Sequence, residues 1–226
     1  MKHRTLLLAA GSATAVTAAA VALALAGCAA TSANGPASQA EIAAAAQAAL
    51  KASFSAKGQA GLDRVDQDDI QKACSGPTPP APDVAARLAS EQAQTVKYPA
   101  DGHWLGDWKA GEKLAQDGKG KTWNDPADKP AGGNCYNCHQ ITKSEISFGT
   151  IGPSLYHYGK LRGVSDPNAP EAKPMLEYTW AKLWNAKATN ACSNMPRFGH
   201  QALLDEGQIR DLMALLLDPK SPVNAD

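Results

Sequence analysis

Cys135 and Cys138 stand three positions apart with His139 directly after the second, inside the stretch "GGNCYNCHQ" (residues 132–140). Two thiols one helical turn apart can form thioethers to the two vinyl groups of a porphyrin. The imidazole that follows is then presented to the iron, so the chemistry this pattern points to is covalent attachment of a haem c. Two other chemistries use a close cysteine pair. Zinc needs four ligands, commonly a second Cys pair or a His pair, and here Cys74 and Cys192 are isolated singles. A redox dithiol of the thioredoxin kind follows a strand in a βαβ unit, whereas this pair lies among helix and loop signals.

The second iron ligand decides whether such a haem carries electrons or binds something. Outside the N-terminal export segment the candidates are Met175, Met195 and Met213 with His103, His157 and His200. Met213 falls on the apolar stripe of the last helical segment and reads as core. Met195 sits in "ACSNMPRFGH" (residues 191–200), a loop between helical segments, just before Pro196 and 56 positions after His139. That separation lets the chain wrap a porphyrin and return on its other face, so Met195 is the expected ligand. Met175 precedes a helix and lacks the loop. His157 and His200 stay open as rivals, each with an alternative reading as a surface or propionate-neighbouring residue. A His/Met pair closes both axial positions and raises the reduction potential, which suits electron transfer.

The elements that must position these residues read as helix and loop throughout. Ser38 and Glu41 form a capping box ahead of Ile42, Ala46, Ala49 and Leu50 at helical spacing. Gly58 and Gly61 interrupt it. Residues 62–74 read as a second short helix with Val65 and Ile70 inward, and "SGPTPPAP" (residues 75–82) is a stop. A third helix is expected over residues 82–97, with Pro82 in its first turn. Residues 107–118 read as a helix ended by Gly118, followed by a loop rich in Gly, Asp and Pro. The cysteine motif is expected to start a short helix, and the stretch from there to Pro174 reads mostly as loop. Residues 176–187 place Leu176, Trp180, Leu183 and Trp184 on one face. The last helix has Asp205 as N-cap, Ile209, Leu212, Met213 and Leu216 on one stripe, and Pro219 beyond its end. No alternating strand pattern and no internal repeat is present, so the expected fold class is all-α.

The chain of 226 residues opens with Lys2, His3 and Arg4 followed by an uncharged apolar run, the order of an export signal. The run ends in "LAGC" (residues 25–28), the box after which bacterial lipoprotein signals are cut, which would leave Cys28 as a lipid-modified N-terminus; an ordinary signal cut nearby is the alternative. Removing residues 1–27 leaves 199 residues, and Lys2 and Arg4 go with them, so 20 basic face 22 acidic residues for a formal charge of −2. Near-neutral charge without a long basic run argues against nucleic acid as a partner. No other segment approaches the roughly 18 to 20 unbroken apolar residues of a spanning helix. With Cys28 lipidated and the close pair holding a cofactor, parity and an oxidising periplasm make Cys74 and Cys192 the expected disulfide. The expected organisation is export signal 1–27, flexible tether 28–37, helical extension 38–97 and a core domain 98–226.

Several of these features together resemble class I cytochromes c: a helix before the haem motif, "GPSL" at residues 152–155, a Met-Pro loop and a C-terminal helix. That likeness implies that the Pro153 carbonyl accepts a hydrogen bond from His139 Nδ1 and that Leu155 packs against the porphyrin. A narrower likeness runs from about residue 52 to residue 224. The blocks "ASFSAKGQAGLDRVDQDDIQKACS", "YPADGHWLGDWKAGEKLAQDGKG", "GGNCYNCHQ", "SFGTIGPSLYHYGKLRG", "YTWAKLWNAKATNACSNMPRFGH" and "IRDLMALLLDPKSPVN" are similar to the SoxX family, the mono-haem subunits of the SoxAX cytochrome complex of bacterial thiosulfate oxidation.

This resemblance implies one covalent haem c held by Cys135, Cys138, His139 and Met195. It implies a heterodimer with a SoxA-type haem subunit that oxidatively joins thiosulfate to a cysteine of a SoxYZ-type carrier, an L-cysteine S-thiosulfotransferase. The chemistry would take place on the partner, and this chain, with no catalytic residue of its own, would take up the released electrons for a downstream cytochrome. The cysteine count agrees, because a chain whose thiols are all occupied cannot supply the sulfur nucleophile. The lipobox departs from the soluble periplasmic form expected of that family. A lipid-tethered general cytochrome serving a terminal oxidase is the alternative, and a ligand-binding or peroxidatic haem protein is a third.

Overall fold

The computed structural model describes residues 37–225. The export segment, the lipobox with Cys28 and the tether up to residue 36 lie outside the described residues. Two compact units divide the chain, one ending at Ser53 and the other beginning at Phe54.

The first unit holds helix α1 (Gln39–Ser53). Its capping box is formed: the Glu41 amide donates to Ser38 Oγ at 3.3 Å and the Ser38 amide to Glu41 Oε2 at 2.7 Å. The Ser38 backbone and side-chain hydrogen bonds hold the Glu41 carboxyl below its ordinary range. None of its residues is buried.

In the second unit, residues 62–74 form two pieces rather than one helix: a 3-10 turn (Leu62–Val65) and helix α2 (Asp69–Cys74). The reason is Asp68, whose side chain accepts from the Gln71 amide while the Gln71 side chain accepts from the Asp68 amide, so a new helix is capped there. Helix α3 (Pro82–Ala93) starts at the proline as its fixed φ favours, but stops short of residue 97. The Thr95 hydroxyl donates to the Gln92 carbonyl at 2.7 Å just past its end. Ile70 and Leu88 form a small core with Ala191, and Cys74 and Cys192 pack on it.

Helix α4 (Trp108–Gln116) is capped by Asp107, which accepts from the Lys109 amide. It packs chiefly on α7 (Glu206–Leu217). Gly111 is the point of closest approach, since a Cβ there would lie 2.2 Å from the Asp211 carbonyl oxygen. The Gly106 amide donates to the Arg210 carbonyl and the Asp107 amide to Asp211 Oδ1 at 2.8 Å, tying the start of α4 to the same turn of α7.

Helix α7 begins with a complete capping box between Asp205 and Gln208, and seven of its twelve residues are buried. At about 1.5–3 kcal/mol for each fully buried leucine-sized side chain, this helix supplies more apolar burial than any element around it. Met213 is fully buried, as the stripe requires. Helices α5 (Tyr158–Leu161) and α6 (Lys173–Trp184) complete the unit, α6 starting at Lys173 with Pro174 in its first turn. Trp180 on α6 is fully buried, and its indole N–H donates to the Lys97 carbonyl at 2.7 Å. Asn185, also fully buried, donates to Gln92 Oε1 and Thr95 Oγ1 and so binds the last turn of α3 and the residues just past it to the end of α6.

The described residues contain helices and loops with a single isolated bridge, Lys57 to Ala60, and no strand, so the protein is all-α over this range. None of these helices is long and apolar enough to cross a membrane.

Candidate functional site

The cysteine motif is held by backbone from both sides. Upstream, the amides of Gly132, Gly133 and Asn134 donate to the carbonyls of Lys119, Leu114 and Asp117, which pins the motif to the end of α4. Asn134 takes the left-handed conformation at φ 49° and turns the chain into Cys135. A single 3-10 turn follows (Cys135–Asn137), shorter than the expected helix, with the amides of Cys138 and His139 both donating to the Cys135 carbonyl. Downstream, residues 149–155 run alongside: the Gly149 amide donates to Tyr136, Gly152 to Cys138 and Leu155 to Gln140. These bonds consume the carbonyls that a longer helix would need, which explains why the helix stops after one turn.

His139 is oriented by that second segment. Its Nδ1 lies 2.7 Å from the Pro153 carbonyl oxygen. A carbonyl can only accept, so Nδ1 carries the hydrogen and Nε2 keeps its lone pair for a metal. The ring also lies close against Gly152, where a Cβ would come within 2.1 Å of Cε1. Cys135 and Cys138 are both free, half-buried thiols. Burial, reinforced by the neighbouring Cys138, pushes the Cys135 thiol from 9.0 up to about 12. Among the described residues no three His, Cys, Asp or Glu side chains converge to hold a metal ion. A porphyrin brings its own four nitrogens and needs no such cluster. The donor set fits a haem c: two unpaired thiols one turn apart, and an imidazole whose outer nitrogen is already committed. Ile151, directly before Gly152, keeps 79% exposure, and Ile146 keeps 88%, so apolar surface stands bare beside the motif.

Met195 occupies the loop after a short turn (Ala186–Ala188). Its amide donates to Ser193 Oγ at 3.3 Å, and its side chain is partly buried against the main core, as are Cys135 and Leu155. Cys74 and Cys192 are joined as a disulfide, with Cα atoms 5.4 Å apart across 118 residues. A cavity of about 300 Å³ opens there, lined by Gln71, Cys74, Lys187, Cys192, Met195 and Arg197 among others.

The other candidate ligands also lie in the second unit. His157 adopts φ 56° at the start of α5 and stacks on Tyr156 at 3.8 Å. The amide of His200 donates to the Trp184 carbonyl, and burial together with Arg197 lowers its imidazole pKa. His103 is exposed, with Nδ1 3.6 Å from Asp101 Oδ2. Met175 packs on the core from the first turns of α6. The roles of Gly152, Asp68, Lys187 and Arg197 are additional to the sequence expectations. Gly152 stood inside the quoted "GPSL", but its steric role depends on a ring thirteen residues away.

No family model matches the chain. It is 40% identical over 163 residues to a protein described as an uncharacterized lipoprotein of Aquifex aeolicus (strain VF5), an alignment covering 70% of this chain and 73% of that protein.

Proposed function

This chain belongs to the family of that Aquifex aeolicus lipoprotein, and from that premise we propose that it is an exported mono-haem cytochrome c, tethered by lipid on Cys28, with its iron held by His139 and Met195. The observation that carries the reading is the 2.7 Å bond from His139 Nδ1 to the Pro153 carbonyl beside two free thiols one turn apart. When bound, the haem supplies a one-electron site. The chain's residues do the rest. Cys135 and Cys138 would hold the macrocycle covalently; the Pro153 carbonyl would keep the imidazole oriented and more basic; Met195 would be the second iron ligand and would favour the reduced iron. Ile151 and Leu155 offer apolar surface to the ring.

More finely, we propose the electron-transfer subunit of a SoxAX-type L-cysteine S-thiosulfotransferase. A SoxA-type partner would join thiosulfate to a cysteine of a SoxYZ-type carrier, and this chain would pass the released electrons to a downstream cytochrome. The support is the extended sequence likeness, together with the Cys74–Cys192 disulfide, which leaves no thiol outside the haem motif among the described residues. A general tethered cytochrome serving a terminal oxidase is the second reading, favoured by the lipoprotein relative. A native pull-down from the host with haem staining separates them: the first requires a second haem-bearing subunit to copurify, the second requires that none does.

A further inference from the structure

The Met195 loop has little hydrogen bonding of its own. The Ser193 amide reaches the Asn190 carbonyl, the Cys192 amide reaches Asn190 Oδ1 at 3.2 Å, and the Met195 amide reaches Ser193 Oγ at 3.3 Å. These bonds turn the loop without fixing it to the body of the protein. The far end of the loop is tied to α6, where the Gly199 and His200 amides both donate to the Trp184 carbonyl; beside Met195 itself the hold comes from α2, a helix of six residues whose two ends grip the loop on either side of it. Cys74, its last residue, is bonded to Cys192, three positions before Met195. Asp68, its N-cap, binds Arg197, two positions after Met195, with Nη2 to Oδ2 at 2.7 Å. Lys187 supports the loop from beneath, its Nζ donating to the carbonyls of Ala191 and Ser193 at 3.2 and 3.4 Å.

Two of these groups are cations withdrawn from water, Arg197 at 5% exposure and Lys187 at 8%. A buried guanidinium is costly unless paired, and removing its partner leaves the whole desolvation penalty behind. Asp68 supplies the pairing while its other oxygen, Oδ1, accepts from the Gln71 amide at 2.8 Å. One carboxylate therefore both starts the helix and closes the clamp.

We propose that Asp68 and Arg197, with Lys187 beneath, are positioning residues that hold the Met195 sulfur in place as an iron ligand, so that α2 serves the cofactor without touching it. This rests on the reading of Met195 as the axial ligand, and the test separates the two claims. The full chain is matured with haem, and cyanide binding to the oxidised iron is timed in wild type, Asp68→Asn, Asp69→Asn, Met195→Ala and the double variant Asp68→Asn/Met195→Ala. Asparagine is as good an N-cap as aspartate, so Asp68→Asn keeps α2 while removing the charge facing Arg197. Asp69, exposed and paired with Lys72 at 3.4 Å, controls for loss of a nearby charge.

Asp68→Asn is expected to bind cyanide at least about tenfold faster than wild type, equivalent to about 1.4 kcal/mol. Asp69→Asn should stay within about twofold, and Asp68→Asn should add nothing once Met195 is gone. A rate in Asp68→Asn equal to wild type overturns the clamp. Equal acceleration in the Met195→Ala background also overturns it, because the effect would not pass through the methionine. Should Met195→Ala itself bind no faster than wild type, the ligand assignment fails and the clamp with it. Asp68→Ser, which keeps a capping oxygen without charge, is read against the same thresholds if Asp68→Asn does not accumulate.

Discussion

Gly152→Ala isolates the contact between the imidazole and the loop that supports it. The added Cβ would lie 2.1 Å from His139 Cε1, 2.5 Å from Nδ1 and 2.7 Å from Nε2, while ordinary contact begins at 3.4 Å, a deficit of 1.3 Å. The ring cannot slide by that amount and keep a 2.7 Å bond to the Pro153 carbonyl. Backbone relief is opposed by the Gly152 amide, which donates to Cys138 at 2.8 Å. The cost is the overpacking term of about 1–3 kcal/mol plus about 1 kcal/mol for the lost hydrogen bond. Loss of such an outer partner typically weakens a metal ligand by about ten- to hundredfold. The assay is guanidinium unfolding of the haem-matured protein together with displacement of the axial histidine by added imidazole. Gly76→Ala is the control, since its Cβ would meet only the Thr78 carbonyl at an ordinary 3.6 Å. If Gly152→Ala matches Gly76→Ala in both stability and imidazole displacement, the account of how His139 is held is wrong.

Met213→Ala should destabilise the protein by about 2–5 kcal/mol through loss of a fully buried side chain, while the sulfur-to-iron absorption band persists; loss of that band would mark Met213 as a ligand. Opening the Cys74–Cys192 disulfide by Cys→Ser at both positions removes a 118-residue separation from the unfolded-state constraint, worth about 4–5 kcal/mol by loop-closure entropy. Intact mass should rise by two hydrogens on reduction of the wild type, and an unchanged mass would refute the bond. Burial holds the Tyr158 phenol above its ordinary value of 10.0, so the folded state keeps a proton that the unfolded state loses. Stability from this group is complete below pH 10 and declines as pH rises beyond it. Tyr158→Phe should therefore show a smaller drop in urea midpoint between pH 8 and pH 11 than wild type, after an overall loss of about 1 kcal/mol for its bond to Thr179.

The parts of this fold that were legible in the sequence are those whose causes are local. Helix α7 followed from the Asp205 cap and the spacing of Ile209, Leu212, Met213 and Leu216, because a 3.6-residue period and a capping box are properties of adjacent residues. Cys74 with Cys192, though 118 residues apart, followed from parity and an oxidising compartment once the other three cysteines were assigned. Residues 62–74 were harder: Asp66, Asp68 and Asp69 all offer a capping oxygen, and only the Gln71 side chain returning to the Asp68 amide selects the break. The one-turn helix at Cys135 stops short because residues 149–155 take its carbonyls, a pairing that no local pattern announces. Gly111 against Asp211 and Asp68 against Arg197 are contacts across about a hundred residues or more. Their residue types carry no signal until the chain is folded, which is why Met195 could be singled out in the sequence as a candidate while the Asp68–Arg197 pair beside it could not.

The central claim is that Cys135 and Cys138 carry a covalent haem. Its most direct test is the intact mass of the acid-unfolded protein, purified from a host that exports it and matures c-type cytochromes. The account predicts the mass of the chain plus one haem, falling to the chain alone in Cys135→Ala/Cys138→Ala. A wild-type chain that unfolds to its bare mass, with haem released or with none present, would contradict it.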